Sequence, residues 1–344
     1  MGMTIDVQMN KSSGFACRWA RERALISAMR GGSMEETLAG VSRSFFLTLR
    51  LLPEPMRGPA SLGYLLARTS DTLADTADAP VALRLSCLDA FRVALAGQGA
   101  VPDWPSAMTD AIADPRERRL MEQTGALFDW LDRMSSAEAR LVREVAEVIT
   151  GGQALDLERF ATADAAHPVA LAGAAALEDY AWRVAGCVGV FWTKLGCLVS
   201  GGRFSSASEE VLLRRGAAYG AGLQLVNILR DLPRDLAQGR CYLPARDPRD
   251  TDELLRLHAA WSGKAMDGVR EGFAYARSLR SRRIRVATVL PAMIAAETLE
   301  RMRGAGMETL RARVKVPRRR VWLALVRAWA GAWRVPAGLA DARV

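Results

Sequence analysis

Apolar residues recur at spacings of three and four along most of the chain, for example over 138–149 and 209–229. This spacing matches the period of an amphipathic helix. Alternating runs and clusters of β-branched residues, which are typical of strands, are few. The pattern therefore predicts an all-α fold.

Glycine and proline clusters divide this helical pattern. The predicted breaks are Gly31–Gly32, Pro53–Pro59, Ala79–Pro80, Gly97–Pro105, Gly151–Gly152, Gly201–Gly202, Leu243–Pro248 and Arg303–Gly306. None is long enough for an interdomain linker, and no fixed period repeats. We predict one main helical domain over 36–317, preceded by an N-terminal extension over 1–35 and followed by a basic, tryptophan-rich tail helix over 318–344.

The composition, 50% apolar and 25% charged over 344 residues, is that of a globular protein and excludes a disordered or collagen-like chain. The five cysteines form no CxxC pair and do not flank the two histidines, which argues against a thiolate metal site or a disulfide framework. Charged residues interrupt the first thirty positions, so no signal-peptide core is evident. We expect a cytoplasmic protein.

Basic residues outnumber acidic ones by 47 to 38, giving a net charge of +9. Nearly all of them are arginine, whose planar guanidinium suits phosphate oxygens. Codon usage in a GC-rich genome would produce the same preference. The arginines are dispersed and no nucleic-acid-binding module is apparent, so we expect no nucleic-acid partner.

Two apolar segments are candidates for contact with a membrane. The stretch 184–202 is interrupted by Lys194 and dotted with glycine, which favours a buried helix over a membrane span. The tail over 321–333 carries three tryptophans behind the basic run 318–320. It fits either a helix in a membrane interface or a terminal helix docked on the core.

The first candidate for chemistry is an acidic pair in YLLARTSDTLAD. Asp71 and Asp75 are four residues apart, so on a helix both carboxylates project from one face. Arg68 and Tyr64 lie one and two turns earlier on the same stripe. Taken alone, such a pair is usually a solvated face.

A second pair, Asp231 and Asp235, follows an apolar helix that carries Gln224 and Asn227 on the same face. Unpaired buried polar groups cost about 1–3 kcal/mol each, so this polar stripe needs partners. Pro233 removes a backbone donor between the two aspartates. It predicts that the helix kinks or ends there, with Asp235 on a turn.

Two such helices facing each other across a bundle would place four carboxylates around one cavity. Mg²⁺ prefers oxygen ligands and completes its coordination with water and substrate phosphates. Four arginines in or beside the two motifs could grip a diphosphate: Arg43, Arg68, Arg230 and Arg240. The implied chemistry is ionisation of a diphosphate to a carbocation, which the metal assists by neutralising the leaving group.

A carbocation must be shielded from water. The stretch 178–196 offers small and aromatic residues for such a cavity, including Gly186 and Gly189. Tyr180 in this stretch could steer a proton transfer, because a phenol both donates and accepts. Spacing alone also fits a core aromatic residue with a satisfied hydroxyl.

Four segments together resemble the squalene and phytoene synthase family: SRSF at 42–45, YLLARTSDTLAD at 64–75, YAWRVAG at 180–186 and LQLVNILRDLPRDLAQGRCYLP at 223–244. The resemblance runs over about 42–317 and implies the class I isoprenoid synthase helical bundle with a central cavity. It implies head-to-head joining of two prenyl diphosphates with Mg²⁺, and a role for Tyr180 in proton transfer and cation stabilisation. It assigns metal binding to Asp71, Asp75, Asn227, Asp231 and Asp235, and diphosphate binding to Arg43, Arg68, Arg230, Arg240, Gln224 and Asn227.

Within the family, SRSF and DTLAD resemble the squalene synthase branch. The segment RVKVPRR at 313–319 is similar to the NADPH-binding segment of that branch, which implies cofactor contacts for Lys315 and Arg318. Two positions depart from it: Pro317 replaces an arginine, and Ala74 stands where a glutamate is frequent.

The resemblance implies that two farnesyl diphosphates condense to presqualene diphosphate, which NADPH then reduces to squalene. One alternative is an NADPH-independent relative that makes presqualene diphosphate, dehydrosqualene, hydroxysqualene or phytoene. The other is a membrane-associated assembly or adaptor protein of the same fold, although such a protein should lose the carboxylates first. Squalene must reach a bilayer, so we expect the tail to hold the enzyme at the cytoplasmic membrane face. The sequence does not predict an oligomeric state.

Overall fold

The computed structural model describes residues 33–42 and 45–334, and it confirms the all-α prediction. Its α-helices are α1 Ser33–Ser42, α2 Phe45–Leu51, α3 Glu54–Asp75, α4 Val81–Leu95, α5 Ser106–Thr109, α6 Pro115–Glu122, α7 Thr124–Asp132, α8 Ser136–Arg159, α9 Ala174–Ala181, α10 Cys187–Ser200, α11 Glu209–Leu236, α12 Thr251–Ser278, α13 Arg282–Met302, α14 Met307–Arg311 and α15 Arg318–Ala330.

Two short elements join the bundle's long helices. A π-helical turn, Trp182–Gly186, links α9 to α10, and a 3-10 turn, Gly201–Arg203, follows α10. The parallel strands β1, Val169–Ala170, and β2, Arg240–Cys241, pair with Val169 opposite Arg240. This pairing holds the segment that follows α11 beside the segment that connects α8 to α9.

Local sequence explains where several long helices begin. Ser135 and Glu138 form a reciprocal capping box at the start of α8. The Asp250 carboxylate accepts the backbone N–H groups of Asp252 and Glu253 at the start of α12. These caps satisfy donors that have no partner within the helix.

Helix α11 runs through the middle of the bundle between α10 and α12, and glycines set how closely it packs. A Cβ atom added at Gly189 of α10 would lie 1.8 Å from the carbonyl oxygen of Gly216 of α11. On the other side of α11, a Cβ at Gly222 would lie 2.7 Å from the Cα of Gly268 in α12. Backbones approach this closely only where neither residue has a side chain.

Two of the predicted interruptions are wrong and a third is right only at its start, because the chain breaks at Pro53 but is helical from Glu54 onward. Pro59 lies inside α3, Gly151–Gly152 inside α8 and Pro233 inside α11. A Cβ at Gly152 would lie 3.0 Å from the Cβ of Arg183, so this glycine serves a close helix contact rather than a break. At Pro233, packing along α11 outweighs the loss of one backbone hydrogen bond. Asp235 therefore lies on the helix and not on a turn.

One helical run in the described part of the chain, Ala174–Arg203, is long and apolar enough to cross a membrane by length and composition. In the bundle this run packs against α11 where Gly189 meets Gly216, and 33% of its most apolar window is buried. Lys194, which interrupts it, pairs with Glu144 of α8 at 3.2 Å.

Candidate active site

The first aspartate pair lies in the last two turns of α3. Arg68 Nη1 is 3.5 Å from Asp71 Oδ2, and the same guanidinium also bonds Glu117 of α6. Gln153 of α8 donates its side-chain N–H to the other Asp71 oxygen. Burial, together with the negative charge of Asp75, raises the pKa of Asp71 to about 7 despite Arg68. The pair thus holds excess negative charge that a cation would relieve.

The second pair lies in the last turns of α11. The Arg230 guanidinium donates two hydrogen bonds to the Asp231 carboxylate, from Nε to Oδ1 at 3.1 Å and from Nη2 to Oδ2 at 2.6 Å. Asn227 Nδ2 donates to Gln224 Oε1 at 3.4 Å. Burial, followed by the charge of Asp231, raises the pKa of Asp235 to about 7. The predicted polar stripe is therefore a continuous helical face.

Asp156 of α8 connects the two pairs. It is 5% exposed and accepts a hydrogen bond of 2.8 Å from the Tyr242 hydroxyl, and Arg240 Nη1 lies 3.9 Å from the same oxygen. Burial is the main cause that raises the pKa of Asp156 to about 6, and the charge of Asp75 adds to it. The charge of Asp156 in turn contributes to the raised pKa of Asp235. The two pairs therefore share one electrostatic site.

Tyr180 faces this connecting group. Its ring stacks on Tyr242 with centroids 4.8 Å apart and an interplanar angle of 22°, and the two hydroxyls share a hydrogen bond. Burial, and then the neighbouring Tyr242 and Asp156, raise the pKa of Tyr180 well above its usual value. The Tyr180 phenol therefore stays protonated and available as a donor.

The sequence-based reasoning missed several residues of this site: Arg84, Glu117, Gln153, Asp156, Arg159 and Tyr242. Arg84 is buried, donates to the Ala74 carbonyl at 2.8 Å, and has a pKa lowered by burial and then by Arg240. Asp156 is a lone acid within a helix, which gives no paired signal in the sequence. Tyr242 stands beside Arg240 in the CYLP segment and was detectable there.

Four charged side chains at this site have buried polar atoms without a partner. Among the described residues, Arg68 Nε, Arg84 Nε, Asp156 Oδ1 and Arg159 Nη1 are buried with no hydrogen-bond partner. Buried polar atoms normally have partners, so four orphans in one region indicate that a polar ligand completes the site.

Two cavities adjoin α11. One, of about 160 Å³, has almost wholly apolar walls that include Val188, Gly189, Trp192 and Tyr219. The other, of about 760 Å³, brings Asn227 and Arg230 together with Arg318 and Trp322 of α15. Both are lined by Thr48, Leu223 and Pro291, so they are neighbours. The second aspartate helix thus borders a large, mostly apolar space.

The donor set fits Mg²⁺ bound jointly with a ligand. In the parts of the chain that the structure describes, no three acidic, histidine or cysteine side chains lie close enough to hold a metal by themselves. Each aspartate pair would thus need further oxygens from water or a phosphate, which is how Mg²⁺ commonly binds. Burial, and then the charge of the paired aspartate, raise the pKa of Asp71 and of Asp235, and a bound cation would oppose both effects.

Three other predicted residues have different outcomes. Arg318 lines the 760 Å³ cavity, whereas Lys315 is exposed in the segment between α14 and α15. Arg43 lies outside the described residues.

The all-α bundle that carries the two DxxxD helices has the fold of the squalene synthase-like isoprenoid synthases. The chain matches the squalene/phytoene synthase family over residues 38–320 and belongs to that family.

Named relatives span several activities. A presqualene diphosphate synthase of Zymomonas mobilis is 27% identical over 68% of this chain and 67% of its own length. A phytoene synthase of Mycobacterium bovis is 31% identical over 63% of this chain and 56% of its own length. A squalene synthase of Yarrowia lipolytica is 24% identical over 61% of this chain and 44% of its own length. The chain therefore spans about half to two thirds of these relatives.

Solved structures share the fold. The complex of TcSQS with the ligand E5700 has a TM-score of 0.71 at 23% identity, covering 86% of this chain and 84% of that one. A dehydrosqualene synthase has a TM-score of 0.59 at 20% identity, covering 91% and 98%.

Proposed function

We propose that the protein is a squalene synthase that joins two farnesyl diphosphates head to head through presqualene diphosphate and reduces that intermediate with NADPH. The observation that supports the proposal is that Asp75 of the first pair and Asp235 of the second both interact electrostatically with Asp156 and Arg240, while α11, which carries the second pair, also lines the two cavities. One shared site can hold two diphosphates while their hydrocarbon chains lie together out of water.

The chain's own residues would divide the work as follows. Asp71, Asp75, Asn227, Asp231 and Asp235 would hold Mg²⁺, which when bound neutralises charge on the departing diphosphate. Diphosphate oxygens would be bound by Arg43, Arg68, Arg230, Arg240 and Gln224, and the orphaned nitrogen of Arg84 adds a further donor.

Tyr180 would assist the loss of the proton that the first half-reaction releases. The first half-reaction joins C–C bonds between two farnesyl diphosphates and releases one diphosphate and one proton. The Tyr180 phenol is hydrogen-bonded to Tyr242, and the Tyr242 hydroxyl donates to Asp156. These two hydrogen bonds hold the Tyr180 phenol at a fixed position. Such a phenol can pass that proton toward a released diphosphate or stabilise positive charge through its ring.

The second half-reaction needs a hydride. Presqualene diphosphate would lose its diphosphate, rearrange and accept hydride from NADPH, giving squalene and NADP⁺. Arg318 is the residue that supports this step, because it lines the large cavity beside Arg230. Lys315, which is exposed between α14 and α15, would contact a cofactor phosphate.

A second candidate function, synthesis that stops at presqualene diphosphate, has its own support. Pro317 replaces the arginine of the NADPH segment, and presqualene diphosphate synthases of Zymomonas mobilis and Rhodopseudomonas palustris are 27% and 30% identical to this chain.

Product analysis separates these possibilities. Purified protein is incubated with farnesyl diphosphate and Mg²⁺, with and without NADPH, and the products are identified by mass spectrometry. Squalene that forms only with NADPH is the expected result. Presqualene diphosphate with or without NADPH would establish the second candidate, and no turnover would refute both.

A further inference from the structure

A proline separates the two aspartates of the second pair. Asp231 and Asp235 lie on either side of Pro233, inside α11. A proline has no N–H to donate to the carbonyl four residues earlier in a helix, which here belongs to Leu229. Leu229 is fully buried, so solvent does not supply the missing donor. The helix that carries the second pair therefore needs a donor from a neighbouring element.

His258 of α12 supplies this donor. Helices α11 and α12 touch where Gly222 approaches Gly268, and farther along the same contact His258 reaches Leu229. His258 is 4% exposed, and its ring hydrogen-bonds the Leu229 backbone. Burial lowers the pKa of His258, and this hydrogen bond opposes the shift. A bond that favours the protonated ring is one that the ring donates, so the acceptor is the Leu229 carbonyl.

The two ring nitrogens of His258 have different surroundings. Within the part of the chain that the structure describes, Nε2 is buried and has no hydrogen-bond partner. The nitrogen that donates to Leu229 is therefore Nδ1. Because burial lowers the pKa of His258, the ring is neutral at neutral pH and carries its single proton on Nδ1. The ring thus makes one hydrogen bond, and that bond goes to the carbonyl that Pro233 leaves without its helical donor.

We propose that His258 is a positioning residue for the second aspartate pair. Its Nδ1–H takes the place of the N–H that Pro233 lacks, and so fixes the direction in which α11 continues from Asp231 to Asp235. Without this donor the buried Leu229 carbonyl is unsatisfied, and the helix bends at the proline to find it a partner. Resting on the proposed function, the affinity of the pair for Mg²⁺ then depends on a residue of α12 that is not itself a ligand, as it does for residues that orient metal ligands.

Thermal unfolding tests whether one donor replaces the other. Phenylalanine keeps a ring but has no donor, so His258→Phe should lower the melting temperature by roughly 5 °C. In a Pro233→Ala background the same change should lower it much less, because residue 233 then has an N–H for the Leu229 carbonyl. Pro59→Ala removes a different helix-interior proline, in α3, and should leave the effect of His258→Phe unchanged. Equal effects of His258→Phe in the wild-type and Pro233→Ala backgrounds would overturn the proposal.

Nuclear magnetic resonance tests the same hydrogen bond in the wild type, without any substitution. The chain has two histidines, His167 and His258, so protein labelled with ¹⁵N-histidine gives signals from two rings only. The nitrogen chemical shifts show which nitrogen of each ring carries the proton, and the spectrum of His258→Phe identifies the His258 signals. We expect the His258 proton on Nδ1. A His258 ring with its proton on Nε2 alone would overturn the proposal.

The Mg²⁺ dependence of pyrophosphate release from farnesyl diphosphate separates positioning from general stability. At a temperature where every variant is folded, His258→Phe should need roughly tenfold more Mg²⁺ for half-maximal release. Pro233→Ala/His258→Phe should recover most of this loss, and so should His258→Asn, whose side-chain N–H lies where Nδ1 does. An unchanged Mg²⁺ requirement in His258→Phe would overturn the positioning role. A wild type that releases no pyrophosphate would instead refute the proposed function, while the melting temperatures and nitrogen shifts still decide whether His258 donates to Leu229.

Discussion

Replacement of Gly189 by alanine tests whether the close approach of α10 and α11 sustains both the fold and the cavity. The new Cβ would lie 1.8 Å from the Gly216 carbonyl oxygen and 2.3 Å from its carbon. Even a close C–H···O contact needs about 3.3 Å, so the two backbones must separate by roughly 1.5 Å. Overpacking of this kind costs about 3 kcal/mol or more.

The expected result is a melting temperature lowered by roughly 6–12 °C, since each kcal/mol shifts a domain of about 150–250 residues by about 2–4 °C. Gly189 and Gly216 also line the 160 Å³ cavity, so product formation should fall as well. The assays are thermal unfolding followed by circular dichroism and product yield from farnesyl diphosphate.

Gly263→Ala is the matched control. Gly263 lies within α12, and an added Cβ would meet nothing within 4 Å. This substitution should leave the melting temperature unchanged or raise it, because alanine favours a helix over glycine by about 1 kcal/mol. A Gly189→Ala protein as stable and active as Gly263→Ala would refute the packing argument.

Three further substitutions address the site. Tyr180→Phe keeps the ring that stacks on Tyr242 but removes the hydroxyl. Product formation in steady-state assays should fall about 10²-fold, while the melting temperature stays unchanged. Full activity of this variant would exclude a role for the phenol. Asp156→Asn keeps an acceptor for Tyr242 but removes the charge beside Arg240. Because burial raises the pKa of Asp156 to about 6, the melting temperature at neutral pH should stay equal to that of the wild type or rise. Turnover should fall clearly, and normal turnover would contradict the shared site. Arg318→Gln should raise the KM for NADPH roughly tenfold, because one charged hydrogen bond to the cofactor is lost. The rate of presqualene diphosphate formation should stay unchanged. An unaltered KM for NADPH would show that Arg318 does not contact the cofactor.

Paired residues were predictable from the sequence because helical periodicity turns spacing into geometry. Asp71 and Asp75, like Asp231 and Asp235, lie one turn apart on helices, as their separation of four predicts. The all-α fold followed from the same periodicity.

Residues that act alone were not predictable in this way. Asp156 reaches the site only because α8 packs against α3 and because β1 and β2 bring the chain after α11 beside it. Gly152 looked like a break, yet it marks a close helix contact, because a glycine pattern alone does not distinguish flexibility from tight packing. Pro233 was misjudged for the related reason that packing along α11 outweighs one missing hydrogen bond.

The central claim is that the two aspartate pairs form one diphosphate-ionising site. It is tested most directly by measuring pyrophosphate released from farnesyl diphosphate with Mg²⁺ by the wild type, Asp71→Asn and Asp235→Asn, with Asp89→Asn, exposed on α4, as control. The folded protein raises the pKa of Asp71 and Asp235 to about 7, so their charge destabilises the fold at neutral and higher pH, and asparagine removes that repulsion. We predict that both variants lose pyrophosphate release by at least about 10²-fold while their melting temperatures stay equal to the wild type or rise, and that Asp89→Asn behaves as the wild type. Wild-type pyrophosphate release by either variant would contradict the account.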